Sequence, residues 1–358
     1  AWVLFAVGLA LQCLVHVPGL GVEVYGNRNW IQIGSQRLQP SEFLKLALAV
    51  WIGALLTIKR PLLHRPFHLL FPLLPGIGAA LGLVMLGHDL GTMLVMAMLV
   101  AGAVWVAGVP RRWFVAAGTL GLVAIVALTV TSGNRMARIN NWLHGTCPGD
   151  SCLQSEQGLM GLAEGGWWGV GLGESRQKWG RLPAAEDDYI FAIIGEELGL
   201  IGTLGVLALF TALALLMFRM ITRLDDHFMQ ITVAGISAWL LGQAFVNMMV
   251  VTGLLPVIGV PLPFISSGGS ALLASMTALG VLLSFARREP GAAEAIGARL
   301  SSVRSSISVL PAPRGRGRES AAGTSAQALD TRASSSGRTA QGESATKDDI
   351  MAFLDGRV

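Results

Sequence analysis

Charged residues are scarce in this chain of 358 residues, where Asp, Glu, Lys and Arg together make up 13%. An ordinary soluble domain contains about a quarter. A soluble fold of this size has to cover its surface with polar groups, and this composition does not supply them. The 3 cysteines also exclude a disulfide-rich scaffold. Because 53% of the residues are hydrophobic, the composition predicts a membrane protein with several spans.

A basic stripe with interleaved aromatic residues, the usual footprint of nucleic-acid binding, is also missing from the sequence. The formal net charge is +4, but many of the cations stand in a polar C-terminal segment. Lys and Arg collect on the cytoplasmic side of membrane proteins, which explains the excess equally well. We therefore predict no nucleic-acid partner.

Eight apolar segments have about the 20 residues that a helix needs to cross a bilayer. The segments lie near 1–20, 42–58, 68–86, 90–108, 113–131, 190–217, 229–254 and 265–286. The short connections at 58–67, 109–112 and 218–228 each contain at least two Lys or Arg, and the tail opens with Arg287-Arg288, so the positive-inside rule places all four in the cytoplasm. The sequence thus predicts an all-α, polytopic membrane protein with a large extracytoplasmic loop at 132–189.

The two ends of the chain differ from the spans. The sequence starts at Ala1 inside an apolar run, without the basic region and cleavage site of a signal peptide, so we expect further residues upstream. Residues 289–358 are rich in Ser, Gly, Ala, Arg and Thr, which bury too little apolar surface to fold. We predict a membrane domain at 1–288 and a disordered cytoplasmic tail at 289–358.

Ionisable side chains at membrane depth are costly and usually mark function. Glu42 and Lys45 stand three residues apart on one helical face just inside the outer boundary, and Arg37 lies immediately outside. The structural alternative is an ion pair with a snorkelling Lys. Asp89 lies in a short outer turn, where capping of the next helix and a functional role are compatible.

A second group of charged residues lies at the C-terminal end of the predicted outer loop. Glu186, Asp187 and Asp188 stand together where this loop meets a helix. Clustered carboxylates raise one another's pKa, which suits a general base or a divalent metal site, and acidic capping of the helix is the alternative. Glu196 and Glu197 follow about two turns into that helix.

Two cysteines, Cys147 and Cys152, flank the sequence PGDS in the outer loop. The exterior of a cell is oxidising, so disulfides persist there. We therefore predict a disulfide that closes a small ring.

Several motifs, in one order over nearly all of 1–288, resemble the SEDS (shape, elongation, division and sporulation) family of the RodA and FtsW type. The motifs are GVEVYGNRNW (21–30), QPSEFLKLAL (39–48), DLGTM (89–93), GGWWGVGLGESRQKWGRLP (165–183), DDYIFAIIGEELGLIG (187–202) and GVPLPFISSGGSALL (259–273). The sequence GLGESRQK and the Arg-rich tail are most similar to the FtsW cell-division branch, and the cysteine loop is similar to actinobacterial members. The family has ten spans, so the resemblance implies that two helices precede this sequence.

The resemblance implies a peptidoglycan glycosyltransferase that polymerises lipid II into β-1,4 glycan strands, with inversion, during septal cell-wall synthesis. It places the active site at the outer face of the cytoplasmic membrane, and it implies a class B penicillin-binding protein transpeptidase and other divisome membrane proteins as partners. Two alternatives stay open, a lipid II flippase and a non-catalytic scaffold for the transpeptidase. Polar groups inside the spans would suit transport, whereas carboxylates at the outer interface favour the enzyme.

Motif positions also imply the roles of individual residues. Asp188 matches the family's catalytic acidic residue and is the predicted general base, with Asp187 as the alternative. Because Glu186 and Asp187 stand where the family usually has His-Thr, the pair Asp187 and Asp188 also forms a candidate site for a divalent cation, Mg²⁺ or Mn²⁺. The implied substrate-binding residues are Arg37, Glu42, Lys45, Asp89, Arg176, Lys178, Ser266, Ser267, Gly268, Gly269 and Ser270. Among them, Arg37 and Lys45 are expected to bind phosphate, with Glu42 orienting Lys45.

Overall fold

The computed structural model describes residues 1–24, 27–34, 36–62, 66–144 and 152–292. The chain separates into a unit at Ala1–Leu300 and a unit at Ser301–Val358. The second unit lies outside the described residues, and so does the predicted tail from residue 293 onward. Disorder of the tail therefore stays a prediction.

Helices make up most of the described chain. The ten α-helices found there are α1 (Trp2–Leu14), α2 (Pro40–Ile58), α3 (Pro66–Leu86), α4 (Leu90–Val106), α5 (Arg111–Val130), α6 (Gly133–His144), α7 (Leu153–Gly165), α8 (Ile190–Arg223), α9 (His227–Val251) and α10 (Gly269–Ala286). By length and composition, α2, α5, α8, α9 and α10 can cross a membrane, and α1, α4 and the Phe71–Leu86 part of α3 are shorter apolar helices. The chain is a mostly helical, multi-pass membrane protein, and the number of eight spans stays a prediction.

A small antiparallel sheet, which the prediction of an all-α fold missed, connects α1 to α2. Its strands are β1 (Gly21–Val24), β2 (Asn27–Ile33) and β3 (Gln36–Leu38), in the order β1-β2-β3. Val22 lies opposite Trp30, and Gln32 lies opposite Arg37. The strands GVEV, NRNWIQI and QRL are four, seven and three residues long, and β2, the longest, lacks the strict alternation of apolar and polar residues that indicates a strand.

The segment predicted as an outer loop, 132–189, contains two helices, α6 and α7. The predicted span 265–286 starts only at Gly269, because residues before it form turns in which Ser266 Oγ accepts a hydrogen bond from Leu262 N at 2.8 Å. α2 starts two residues earlier than predicted, at Pro40. Proline is favoured in the first turn of a helix, where its missing N–H has no helical partner to lose.

The core of the bundle lies where α2, α4 and α9 pack together. Fully buried large side chains, among them Trp51, Leu99 and Trp239, fill this centre. α5 is covered by protein far less than α2 is. Of its apolar stretch, 6% is buried inside the protein, compared with 72% for α2. An apolar helix so little covered by protein has its surface available to lipid.

The loops that were predicted to face outward lie together at one end of the bundle, where hydrogen bonds connect them. Arg28 N in β2 donates to Gly87 O, at 2.8 Å, and Gln39 N donates to Ser270 Oγ, at 3.1 Å. At the far end of α8, Arg219 Nε lies 3.5 Å from a carboxylate oxygen of Glu289, after α10. The basic connection after α8 and the start of the tail therefore share the opposite end.

Candidate active site

Asp188 lies in the acidic turn, residues 184–189, immediately before α8. The amides of Asp187 and Asp188 both donate to Ala184 O at 3.1 Å. On α9, Asn247 Nδ2 donates to the carbonyls of Asp188 and Val260 at 2.7 Å each. One buried side chain therefore fixes the acidic turn against the loop that joins α9 to α10.

The carboxyl group of Asp188 is half-buried beside Gly259. A Cβ atom placed on Gly259, whose φ is +74°, would lie 3.3 Å from Asp188 Oδ2. Burial raises the pKa of Asp188 to about 7, the negative charges of Asp187 and Asp89 add to this effect, and Arg138 opposes it. A carboxylate with a pKa near the working pH is well suited to accept a proton in a reaction.

Asp187 lies in the same turn but has a different environment. Its carboxylate is exposed and accepts a hydrogen bond from Ser267 Oγ at 2.8 Å, and its carbonyl accepts one from Ser266 Oγ at 2.5 Å. Both bonds attach the ISSGGS segment, residues 265–270, to the acidic turn. Asp187 therefore holds this segment, while the carboxylate of Asp188 faces Gly259.

The pair Asp187 and Asp188 is the predicted divalent cation site. Across the described residues, no group of three or more His, Cys, Asp or Glu side chains is arranged to hold a metal ion. Binding of Mg²⁺ by one or two carboxylates, with waters and substrate phosphates, needs no third side chain. The cation stays a prediction, and we derive no chemical step from it.

Glu42 and Lys45 form the ion pair that their spacing predicts, with Lys45 Nζ 2.8 Å from Glu42 Oε1. Both residues are 1% exposed, so Lys45 is buried and does not snorkel. Its Nζ also donates to Gln243 Oε1 on α9 at 2.8 Å and lies 4.8 Å from the ring centre of Trp239. Glu42 Oε2 is buried and lacks a hydrogen-bond partner in the part of the chain that the structure describes. A buried carboxylate oxygen without a partner needs an explanation, and an absent ligand is one.

Polar residues on α9 connect this ion pair to the same loop that contacts Asp188. Gln243 Nε2 donates to Pro261 O at 2.8 Å, one residue beyond the carbonyl that Asn247 binds. Gln243 and Asn247 are one turn apart on a single face of α9. The buried pair of α2 and the acidic turn before α8 are therefore fixed to a common segment, Val260–Pro261.

Asp89 caps α4 and accepts hydrogen bonds from three side chains. Its Oδ1 accepts from Thr92 N at 2.8 Å, as an N-cap does. Its Oδ2 accepts from Asn29 at 2.6 Å, Thr92 Oγ1 at 2.7 Å and Gln39 at 3.5 Å. The capping alternative is therefore confirmed, and the same carboxylate joins the sheet, α2 and α4 while its charge acts on Asp188.

Glu196 and Glu197 hold the glycine-rich loop, residues 166–182, against α8. Glu196 is fully buried and accepts hydrogen bonds from Ser175 Oγ at 2.5 Å and from Arg176 N at 2.7 Å. Glu197 pairs with Lys178, with Oε1 and Nζ 2.6 Å apart. The two carboxylates that look unexplained in the sequence thus have partners in this loop.

The predicted substrate-binding residues lie in separate parts of the outer end. Arg37 is exposed on β3, and the Arg176 side chain is exposed on the glycine-rich loop. Gly268 and Gly269 lie at the start of α10, where a Cβ on Gly268 would lie 3.8 Å from Asp187 Oδ1. The structure thus brings the ISSGGS segment to the acidic turn, and the substrate-binding roles stay predictions.

Sequence reasoning missed three of the polar residues that shape the site, Gln243, Asn247 and Arg138. The first two are polar side chains one turn apart in an otherwise apolar span, which is a readable signal. Of the predicted disulfide, Cys147 lies outside the described residues, and Cys152 is buried just before α7. That disulfide stays a prediction.

Comparison with known proteins supports the motif assignment. Residues 1–290 match the model of a family described as "Cell cycle protein", that of FtsW, RodA and SpoVE. Over 310 residues the chain is 38% identical to a Mycobacterium tuberculosis protein described as "Probable peptidoglycan glycosyltransferase FtsW", covering 86% of this chain and 59% of the relative. The chain therefore spans less than two thirds of that relative's length.

Two solved structures share the fold. One comes from work described as "Structural coordination of polymerization and crosslinking by a peptidoglycan synthase complex", with a TM-score of 0.65 and 28% identity over 80% of this chain and 81% of that chain. The other is the crystal structure of the Thermus thermophilus rod shape determining protein RodA, with a TM-score of 0.58 and 27% identity over 80% of this chain and 78% of that chain.

Proposed function

Because the chain belongs to the FtsW, RodA and SpoVE family, we propose that it is a peptidoglycan glycosyltransferase that polymerises lipid II. The observation that carries the proposal is the placement of Asp188. Its carbonyl is fixed by Asn247, its carboxyl group lies beside Gly259, and the charges of Asp89 and Arg138 both act on it. The site thus offers one positioned proton acceptor within electrostatic range of a cation, Arg138.

In this proposal Asp188 acts as the general base. It takes the proton from the 4-hydroxyl of the acceptor sugar as that oxygen attacks C1 of the donor sugar. The bond from C1 to the pyrophosphate oxygen breaks on the opposite face, which inverts the configuration and gives a β-1,4 linkage. Undecaprenyl pyrophosphate leaves with the bonding electrons, and cations stabilise its charge.

Lys45 and Glu42 have a defined part in this reaction. The ammonium group is held by Glu42 Oε1 and Gln243, so its position is fixed before substrate arrives. A preorganised charge of this kind stabilises a developing anion without reorganising during the reaction. Glu42 Oε2, which is buried without a partner in the described chain, is available to accept a hydrogen bond from a sugar hydroxyl or amide.

The same proposal fixes the orientation in the membrane. Eight spans place the sheet, the acidic turn and the glycine-rich loop outside the cytoplasmic membrane, and the tail inside. The basic connections after α2, α4 and α8 support this orientation through the positive-inside rule. Lipid II polymerised on the outer face is then within reach of the acidic turn.

A transpeptidase of the class B penicillin-binding protein type is the proposed partner, within a larger set of division proteins. The similarity to a chain from a peptidoglycan synthase complex that coordinates polymerization and crosslinking supports this partner. Glycan strands need crosslinking after polymerisation, so a complex of the two activities acts on a common product.

The test is an assay in proteoliposomes that contain the full chain with its cognate transpeptidase and labelled lipid II. Polymer and lipid II translocation are measured together for wild type and for Asp188→Asn. We expect polymer from wild type only, with both proteins binding the partner. Translocation of lipid II by both proteins without polymer would favour the flippase, and absence of both activities in wild type would favour the scaffold.

A further inference from the structure

A cavity of about 520 Å³ lies at the outer end of the bundle between α4, α5 and α6. Arg135 and Arg138 of α6 line one side of it together with His88, and Leu94 of α4 and Ile125 of α5 line another. The cavity therefore has a cationic part and an apolar part. Such a combination matches an amphiphile with an anionic head, and neither Arg135 nor Arg138 is among the site residues predicted from the sequence.

The guanidinium groups of Arg135 and Arg138 are fixed by main-chain carbonyls. Arg135 donates to Leu128 O at 3.0 Å and to His88 O at 3.1 Å, and Arg138 donates to Val257 O at 3.2 Å. In the described parts of the chain, no Asp or Glu oxygen lies within 4.0 Å of either group. Each guanidinium has five N–H donors, so both keep donors and an unneutralised charge for an anion.

The apolar wall of the cavity leads toward lipid. Ile125 and Thr129 line the cavity from α5, the helix whose apolar stretch is 6% buried. A hydrocarbon chain attached to a bound head group can therefore leave the cavity along α5, the helix whose surface is available to lipid. The charge of Arg138 also acts on Asp188, which shows that the cationic part lies within electrostatic range of the proposed base.

We propose that this cavity binds the phosphate head of a polyprenyl-linked substrate, with Arg135 and Arg138 holding the phosphate oxygens and the wall of α4 and α5 receiving the first isoprene units. The proposal rests on the proposed function and adds the residues that hold the lipid phosphate. It differs from the sequence prediction for Lys178, whose ammonium group is already paired with Glu197.

The test measures binding of undecaprenyl pyrophosphate to the purified full chain, without turnover, by native mass spectrometry. We expect the double variant Arg135→Gln/Arg138→Gln to weaken binding at least tenfold. The matched control Arg111→Gln/Arg112→Gln removes two exposed cations from the opposite end of α5, and it should bind within twofold of wild type. Equal binding by wild type and the Arg135 and Arg138 variant would overturn the proposal.

A competition experiment distinguishes a polyprenyl-linked phosphate from other phosphates as the ligand of this cavity. Phosphatidylglycerol at the same concentration should not displace undecaprenyl pyrophosphate, and inorganic pyrophosphate should displace it only weakly because it lacks the chain. Displacement by phosphatidylglycerol as effective as by undecaprenyl pyrophosphate itself would overturn the polyprenyl assignment.

A second variant covers the case in which loss of both arginines prevents folding. Leu94→Trp fills the apolar part of the cavity and should weaken binding to a similar extent. Leu204→Trp, in a separate apolar cavity lined by α7, α8 and α9, should not. Retained binding in Leu94→Trp overturns the proposal.

Failure of this site and failure of the proposed function give different results. Asp188→Asn should bind undecaprenyl pyrophosphate as wild type does. If wild type makes no glycan while the Arg135 and Arg138 variant still loses binding, the function fails and the site stands. If wild type makes glycan and the double variant binds and polymerises normally, the site fails and the function stands.

Discussion

The side-chain amide of Asn247 donates a hydrogen bond of 2.7 Å to the main-chain carbonyl of Asp188. The same Nδ2 atom binds Val260 O, also at 2.7 Å, so α9 holds the acidic turn and the following loop together. Asn247 is 2% exposed, and its removal leaves two carbonyls without this donor. The position of the proposed base thus depends on a residue in a neighbouring span.

The first prediction concerns this contact. Asn247→Ala should lower the free energy of unfolding by about 1–3 kcal/mol, the usual cost of leaving buried polar groups unsatisfied. It should also lower kcat, because Asp188 is no longer fixed. Thermal unfolding in detergent and glycan synthesis are measured in parallel. Thr252→Ala is the control, since the hydroxyl group of Thr252 donates, among the described residues, only to Met248 O and Met249 O of its own helix end. An equal loss in both variants would exclude a specific role for Asn247.

The pH dependence of activity follows from the raised pKa of Asp188, about 7. A protonated carboxyl group cannot accept a proton, so kcat/KM should fall as the pH drops below about 7 and level off above it. Asp187→Asn removes one of the negative charges that raise this pKa, so the falling limb should move to lower pH. A limb that stays in place in Asp187→Asn would show that another group controls it.

The glycine-rich loop should depend on Glu196 more than on Glu197. Glu196 is buried and binds two groups of the loop, whereas Glu197 makes an ion pair that is partly exposed. Water still reaches this ion pair and screens it, so we expect it to contribute less than the fully buried, hydrogen-bonded carboxylate of Glu196. Glu196→Ala should therefore speed tryptic cleavage after Arg176 and Lys178, and Glu197→Ala should have a smaller effect. Glu174→Ala, an exposed change in the same loop, is the control and should cleave like wild type.

Gly199 interrupts α8 in a conformation that requires glycine. Its φ is +66°, and a Cβ there would lie 2.6 Å from Trp167 O and 2.4 Å from Gly169 N. Gly199→Ala should destabilise the protein by at least the roughly 1–3 kcal/mol of a strained backbone and displace the glycine-rich loop. Gly205→Ala, at a helical position of α8 where nothing lies within 4 Å, should be neutral or stabilising by up to about 1 kcal/mol. Similar melting temperatures for the two variants would contradict this account of the kink.

Much of the fold could be predicted because membrane spans are apolar segments of about 20 residues, which can be recognised from composition alone. The apolar segments placed most helices within a few residues, and the spacing of Glu42 and Lys45 predicted their ion pair. The sheet was missed because β1 and β3 are short and β2 has no regular alternation of apolar and polar residues. The bond from Asn247 to Asp188 could not be predicted either, since it joins residues 59 positions apart that are brought together by helix packing.

The candidate site, like the fold, could be predicted only in part from the sequence. Motif position predicts Asp188 as the base, and the local cluster of carboxylates draws attention to the same turn; the role itself stays a prediction. The different environments of Asp187 and Asp188 could not be predicted, since they arise from Ser267 and Gly259, far along the chain. Arg138 was overlooked because a cation in an outer loop has no local signal that separates it from a solvated one.

The measurement that tests the central claim most directly compares Asp188→Asn with Asp187→Asn in single-turnover synthesis of glycan from labelled lipid II. Each change replaces one carboxyl group of the same turn with an amide and keeps the side-chain volume. The account predicts that Asp188→Asn makes no detectable polymer while binding lipid II normally, and that Asp187→Asn keeps measurable synthesis with an altered pH dependence. Polymer from Asp188→Asn, with none from Asp187→Asn, would contradict the assignment of the base.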